Sequence, residues 1–177
     1  MATFTIDQLR SLPDFAKTYK WDLQFLTLPV VGPFGFPVSE QLNLRCESSE
    51  IPKTTNQKIE VDLRGHKVRQ AGINDYLGSI SLTFTETVDN TVHNFFKAWR
   101  EVIWETRTGR SFSKAQYSAT LKITRLNNQD EPIWDYVLYS CFPEDFEYGS
   151  LEGGTSDIMR PTLVLSYDYF NDSPALG

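Results

Sequence analysis

The side chains that most often carry chemistry are few in this chain. There are two histidines, His66 and His93, so a metal site of three histidines cannot be built. Neither histidine has an evident partner for a catalytic triad, and the pattern Gly-x-Ser-x-Gly is absent. Cys46 and Cys141 lie far apart and in no Cys-x-x-Cys spacing, which indicates neither a zinc site nor a redox motif. We expect both to be buried free thiols in a reducing compartment.

Two further patterns could suggest an enzyme. The segment 149–156 contains three glycines, but it lacks the lysine of a phosphate-binding loop, so we expect a flexible turn. Glu144 and Asp145 are paired carboxylates, yet adjacent residues on a strand point to opposite faces. The sequence therefore predicts no enzyme, no cofactor and no metal site.

The most regular pattern begins in the segment 56–65, where apolar and charged residues alternate. Period-two alternation with one polar face predicts a half-buried strand. The apolar face would carry Ile59, Val61 and Leu63, and the charged face Lys58, Glu60, Asp62 and Arg64.

A second alternating segment, 78–87, predicts another strand with one apolar and one hydroxyl-bearing face. The apolar positions are Ile80, Leu82 and Phe84, and the hydroxyl positions are Ser79, Ser81, Thr83 and Thr85. Antiparallel sheets that face the core on one side and water or a partner on the other have this pattern.

From Asp89 the period changes to that of an amphipathic helix. The apolar stripe consists of Val92, Phe95, Phe96, Trp99, Val102 and Ile103, and we take Phe95, Phe96, Trp99 and Ile103 as core residues. Asp89 is the predicted N-cap, and Gly109 follows the predicted end. Burying six such side chains contributes on the order of 10 kcal/mol before entropy is subtracted. The helix should therefore pack against the sheets.

Further strands are predicted at 19–28, 41–47, 117–126, 133–142 and 161–170, with a hairpin turn at 126–132. The prediction is a mainly β fold: a small barrel or sandwich of two antiparallel sheets, about seven strands in all, with one flanking amphipathic helix. No linker divides the chain, and 177 residues suit a single domain, 1–177.

The charge balance limits the partners. Seventeen basic and 23 acidic residues give a net charge of −6, so binding of nucleic acid through phosphate neutralisation is not expected. The first residues lack the pattern of a secretory signal, and the longest apolar segment, 25–38, is interrupted by prolines and glycines. We expect a protein made in a cytoplasm, without a membrane segment.

Some segments fit a closed monomer poorly. They are the N-terminal arm 1–18, the connection 48–57 and the C-terminal tail 171–177. The apolar segment 28–37 either folds back on its own barrel or forms an intersubunit patch. The candidate intersubunit residues are Phe4, Ile6, Leu9, Pro33, Phe34, Phe36, Ile51 and Pro52.

The order of these features resembles that of the tail tube proteins of contractile-tailed bacteriophages. The resemblance covers roughly residues 19–170. It rests on Ile51-Pro52, the charged strand 58–65, Lys67-Val-Arg-Gln-Ala-Gly72, the hydroxyl-rich strand from Gly78, Asn94-Phe-Phe-Lys-Ala-Trp99, Cys141-Phe-Pro-Glu-Asp-Phe146 and Pro161-Thr-Leu-Val-Leu-Ser-Tyr-Asp-Tyr169.

The resemblance implies two roughly orthogonal sheets, and hexameric rings that stack into a tube and conduct DNA. It also implies that sheath, baseplate or tube-initiator and terminator proteins are partners, and that the site of action is the virion tail, assembled in a bacterial cytoplasm. The candidate lumen-facing residues are Lys58, Glu60, Asp62, Arg64, Ser79, Ser81, Thr83 and Thr85.

Three alternatives stay open. The tube protein of type VI secretion or of another contractile injection system has the same fold, as does a tube-initiator or baseplate protein. A β-sandwich that binds carbohydrate through exposed Trp134, Tyr136 and Tyr139 belongs to a different class.

Overall fold

The computed structural model describes residues 5–29, 39–76, 78–154 and 156–175. In these ranges lie nine strands and four helices. The strands are β1 (Trp21–Thr27), β2 (Cys46–Ser49), β3 (Thr54–Leu63), β4 (His66–Tyr76), β5 (Ser79–Phe84), β6 (Ala119–Leu126), β7 (Pro132–Glu147), β8 (Thr162–Ser166) and β9 (Tyr169–Pro174). The helices are α1 (Ile6–Arg10), α2 (Ser39–Arg45), α3 (Thr91–Ile103) and α4 (Lys114–Tyr117).

Strand β7 joins two antiparallel halves of one sheet. Its first part pairs with β6 and β9, and its second part, from Phe142, pairs with β8. Between the two parts lies Ser140, which has a φ of 56°. A register shift follows between Pro143 and Asp145, near the start of the second part. Positive φ and a bulge bend a strand, so β7 passes from one half to the other. The strand orders are β1-β6-β7-β9 and β7-β8-β5-β2.

The predicted mainly β fold class with two antiparallel sheets is confirmed: one sheet has seven strands and the other is the two-stranded pair β3–β4. Ile80, Leu82 and Phe84 of β5 are buried, as the alternation predicted. Leu23 and Phe25 are their counterparts on β1 in the other half. Within the described residues the sheet does not close into a barrel, because β2 and β9 pair on one side each.

Helix α3 supplies much of the apolar core. Phe95, Phe96 and Trp99 have at most 1% of their surface exposed, whereas Ile103 at the helix end is partly buried. The Trp99 and Phe95 ring centroids are 5.3 Å apart, and the indole Nε1 donates a hydrogen bond to the Tyr117 carbonyl at 2.7 Å. The helix is thereby tied to the chain segment that enters β6.

The predicted N-cap of α3 is wrong. Asn90 occupies that position in a left-handed conformation, and the Glu86 carboxylate accepts hydrogen bonds from the amides of Val92 (3.2 Å) and His93 (2.7 Å). Asp89 instead bonds the hydroxyls of Thr87 and Thr91. The longer side chain of Glu86, which follows β5, therefore accepts the free amide hydrogens of the first turn of α3. The spacing of residues next to the helix could not predict this.

The predicted strand 41–47 is also wrong. Most of it belongs to α2, and only Cys46 onward is extended. Leu42 is fully buried while Leu44 is 82% exposed, as two residues about 200° apart on a helix should be. Asn43 Oδ1 accepts the amide hydrogen of Leu23 at 3.0 Å, so α2 covers the open edge of β1.

Three strands differ from expectation. No strand was predicted at 66–76, where β4 lies, and the predicted strand 161–170 is divided into β8 and β9. Strand β9 continues to Pro174, so the predicted C-terminal tail begins inside a strand that pairs with β7. None of the helices in the described ranges has the length and apolar character needed to cross a membrane.

Candidate assembly surfaces

The β3–β4 ribbon, residues 54–76, stands apart from the main sheet. Its strands of ten and eleven residues pair only with each other. Arg64 and Gly65 form the tip, with φ values of 51° and 82°. Two successive positive φ angles are typical of the tight turn that matches strand twist. Every residue of the ribbon is exposed except Gly72, and a two-stranded ribbon alone is marginally stable in water.

One face of the ribbon is apolar. The register places Val61 opposite Val68 and Leu63 opposite His66. Val61 is 41% exposed and Leu63 is 59% exposed. The half-buried strand predicted here is therefore wrong for a single chain, because none of the described elements buries this face. An exposed apolar patch of this kind marks an interaction surface.

The other face is charged but largely self-neutralised. Glu60 lies opposite Arg69, whose guanidinium is 3.0 Å from it, and Lys58 Nζ is 2.6 Å from the same carboxylate. Asp62 lies opposite Lys67. Three of the four predicted charged residues share this face, whereas Arg64 sits in the turn at the tip.

A second polar surface is the outward face of the β5–β8 pair. Ser79, Ser81 and Thr83 alternate with the buried residues of β5, and β8 places Ser166, Val164 and Thr162 directly opposite them. Thr85 follows the end of β5 and is partly exposed. The hydroxyls of β8 were missed in the sequence, although Thr162-Leu-Val-Leu-Ser166 alternates in the same way. The result is a flat, uncharged hydroxyl face.

A cleft of about 410 Å³ lies where the ribbon meets the main sheet. Ile51 and Pro52 line it together with Tyr76 and Phe170, whose ring centroids are 5.7 Å apart and nearly perpendicular. Pro52 is buried, while Ile51 is 48% exposed. These two candidate intersubunit residues therefore lie at the base of the ribbon.

The N-terminal segment exposes large apolar residues. Ile6 of α1 is 61% exposed and Phe15 is 78% exposed. Phe4, Pro33, Phe34, Phe36 and the side chain of Leu9 lie outside the described residues.

The aromatic set proposed for carbohydrate binding is not gathered on one surface. Tyr136 packs against the core, whereas Tyr139 stacks on Tyr169 with ring centroids 4.8 Å apart. The unbroken register from Trp134 to Tyr139 places positions 136 and 139 on opposite faces of β7. These rings form no common platform for a sugar.

The candidate chemical groups are likewise dispersed. His66 belongs to the ribbon, and the His93 ring contacts that of Tyr148 at a tilt of 43°, with centroids 4.5 Å apart. Burial raises the pKa of the Cys46 and Cys141 thiols to about 12 each, so both stay protonated and unreactive near neutral pH. The described surfaces are suited to association between proteins.

This combination, a β-sheet core with an apolar ribbon left uncovered, defines a subunit built for association. The family model described as phage tail tube protein matches residues 16–173. The chain belongs to the phage tail tube protein family. A sequence search among curated proteins gives no match.

Solved structures share the fold. A chain in the extended sheath–tube complex of the extracellular contractile injection system PVC has a TM-score of 0.63 at 15% identity, with 98% of this chain and 100% of that chain covered. A chain in the PVC sheath/tube terminator gives 0.65 at 15% identity, covering 92% and 99%. One in the tube-terminating cap of the anti-feeding prophage gives 0.63 at 16%, covering 93% and 95%.

Proposed function

We propose that this chain is a non-enzymatic subunit of a contractile phage tail tube, closing into hexameric rings that stack around a channel for DNA. The observation that carries the proposal is the uncovered apolar face of the β3–β4 ribbon in a chain of this family. Burying that face against a neighbouring copy removes its apolar side chains from water and orders an otherwise marginal ribbon.

The proposed channel wall is neutral to acidic. The hydroxyl face of β5 and β8 continues on β7 with Asp145, which lies opposite Val164. Six copies at −6 carry a formal charge of about −36, so the ring as a whole repels phosphates. On the charged ribbon face, Lys58 and Arg69 are already engaged by Glu60. DNA would meet few unpaired cations on either candidate surface.

The proposal extends to partners and location. In a virion tail the tube would contact a sheath, a baseplate or tube initiator, and a terminator. It would be assembled in the bacterial cytoplasm. The N-terminal arm 1–18, with Phe15 and Ile6 exposed, is proposed to link neighbouring rings.

Electron microscopy of negatively stained protein tests the proposal. We expect rings or stacked tubes at high concentration, alone or with a baseplate nucleus. Light scattering that finds only a 20.3 kDa monomer at every concentration, with and without the nucleus, would contradict it.

A second candidate is the tube of a contractile injection particle that is not a virus. It is favoured by the near-complete overlap with the chain from the PVC sheath–tube complex. Purified particles distinguish the two: nuclease-protected DNA in complete particles supports a phage tail, and its consistent absence supports the injection device.

A further inference from the structure

Residues 104–112, called here the Trp104 loop, form a hydrogen-bonded turn after α3. The amide of Glu105 donates to the Arg110 carbonyl and that of Gly109 to the Glu105 carbonyl, both at 2.9 Å, and Trp104 bridges to Ser111. Gly109 has a φ of 70°, which this turn requires. Backbone hydrogen bonds therefore hold the loop in place, yet Trp104 is 55% exposed.

The arginines of this loop point to a protein partner. Glu101 accepts hydrogen bonds from the Thr106 amide and hydroxyl (3.1 and 2.7 Å), and Glu105 accepts one from Thr108 at 2.6 Å, so both carboxylates are engaged near their own element. Arg107 and Arg110 are exposed, and no ion pair to either is found within the described residues. Exposed tryptophan beside arginine is the composition enriched at the energetic centres of interfaces.

A surface of opposite character connects β7 to β8. This acidic loop, residues 147–154 and 156–158 of the described chain, contains Glu147, Glu152 and Asp157 and no basic residue. Asp157 pairs with Arg160 at 2.8 Å, while Glu147 and Glu152 make no ion pair among the described residues. Leu151 is 88% exposed. The loop therefore offers negative charge around an exposed aliphatic side chain.

The two loops contact or follow different parts of helix α3. The acidic loop leaves from Tyr148, whose ring centroid is 4.5 Å from that of His93 and whose hydroxyl accepts a hydrogen bond from Arg100 at 3.4 Å. It returns near Met159, whose carbonyl accepts the amide of Glu86 at 3.0 Å. Glu86 itself bonds the N-terminal amides of α3. The Trp104 loop follows Ile103, the last residue of α3.

We propose that the Trp104 loop of one copy docks on the acidic loop of a second copy. The contact rests on the proposed function and specifies which surfaces meet. Two different, complementary surfaces on one molecule give a head-to-tail contact, which repeats from copy to copy and closes into a ring when the rotation between copies closes. The charge asymmetry of the chain supports this pairing: residues 97–125 hold seven basic and two acidic residues, and residues 130–172 hold one basic and ten acidic.

Charge reversal tests the contact. Arg107→Glu with Arg110→Glu places like charges against the acidic loop, and we expect the concentration needed for assembly to rise at least about tenfold. Glu147→Lys with Glu152→Lys should do the same. The quadruple variant restores opposite charges and should assemble at close to the wild-type concentration. Arg107→Lys with Arg110→Lys keeps the charge and is the matched control.

Each variant is compared by light scattering and electron microscopy, and a thermal melt establishes that it is folded. If both charge-reversal variants assemble at the wild-type concentration, this contact is overturned and the proposed function still stands. Failure of the quadruple variant to recover, when it is folded and both doubles are impaired, overturns the pairing of these two loops. A wild type that never associates overturns the proposed function as well.

Discussion

Trp99 is the point at which helix α3, strand β1 and the segment entering β6 meet. Its ring contacts Phe95 and Phe25, and its Nε1 holds the Tyr117 carbonyl. Trp99→Ala should lower the free energy of unfolding by about 3–5 kcal/mol, because it leaves a large cavity. Trp99→Phe keeps most of the ring and removes the hydrogen bond, so a smaller loss is expected. Urea denaturation measures both, and an unchanged midpoint for the alanine variant would contradict the packing described.

Glu86 and Asp89 form a matched pair at the start of α3. Glu86→Ala removes the acceptor for two helix amides and should cost about 1 kcal/mol of stability. Asp89→Ala removes bonds to the hydroxyls of Thr87 and Thr91 and an exposed ion pair with Arg45 at 3.6 Å, but no bond to a helix amide, so its effect should be smaller. Denaturation curves of the two variants decide the matter, and the reverse order would show that Asp89 is the cap after all.

At the scale of elements, substitutions in the β3–β4 ribbon can distinguish an effect on assembly from an effect on folding. Val61→Ser with Val68→Ser removes apolar surface that is exposed in the single chain, so the thermal midpoint should change little while assembly is impaired. Asp62→Ser with Lys67→Ser alters the opposite face with no net change in charge and serves as the control. Micrographs and melts of both variants are compared. Loss of the folded state in the valine variant would show that the ribbon supports the core of the monomer.

Elements with strong, local patterns were predictable. The β5 alternation and the α3 stripe each contain at least three large apolar residues at one period, so the buried face follows from the sequence. The segment 41–47 was misassigned because Leu42 and Leu44 imitate a strand, and only the packing of Asn43 on β1 favours the helix. The ribbon was predicted as a strand, but its burial was not, because the alternation is the same whether a neighbouring sheet or another copy covers the face.

The surfaces were harder to predict than the fold. The residues Ser79, Ser81 and Thr83 could be assigned to one face from their spacing, but their partners on β8 depend on register between strands 80 residues apart in the chain. The separation of the Trp104 loop from the acidic loop depends on the path of α3. Neither relation is encoded in a local pattern.

At the scale of the whole molecule, charge makes the clearest prediction. Assembled protein should bind duplex DNA negligibly even at low ionic strength, where phosphate contacts are strongest, because the subunit carries −6 and Glu60 pairs with both Lys58 and Arg69 of the ribbon. Gel-shift titration at low and moderate salt measures this. Micromolar, salt-sensitive binding would indicate a basic channel and a tube that holds DNA.

The two buried thiols make the chain its own reporter of local opening. Burial raises the pKa of each thiol to about 12, so the folded chain keeps both protonated and an alkylating reagent reacts mainly when the site opens transiently. Cys46 begins the four-residue edge strand β2, whereas Cys141 lies beside the bend of β7 between neighbouring strands. Under mild denaturant Cys46 should be modified first, as followed by mass spectrometry; simultaneous labelling would mean that the sheet opens only as a unit. The labelling rates of the same two cysteines in the assembled particle would measure how strongly contacts with neighbouring subunits suppress local opening at each position.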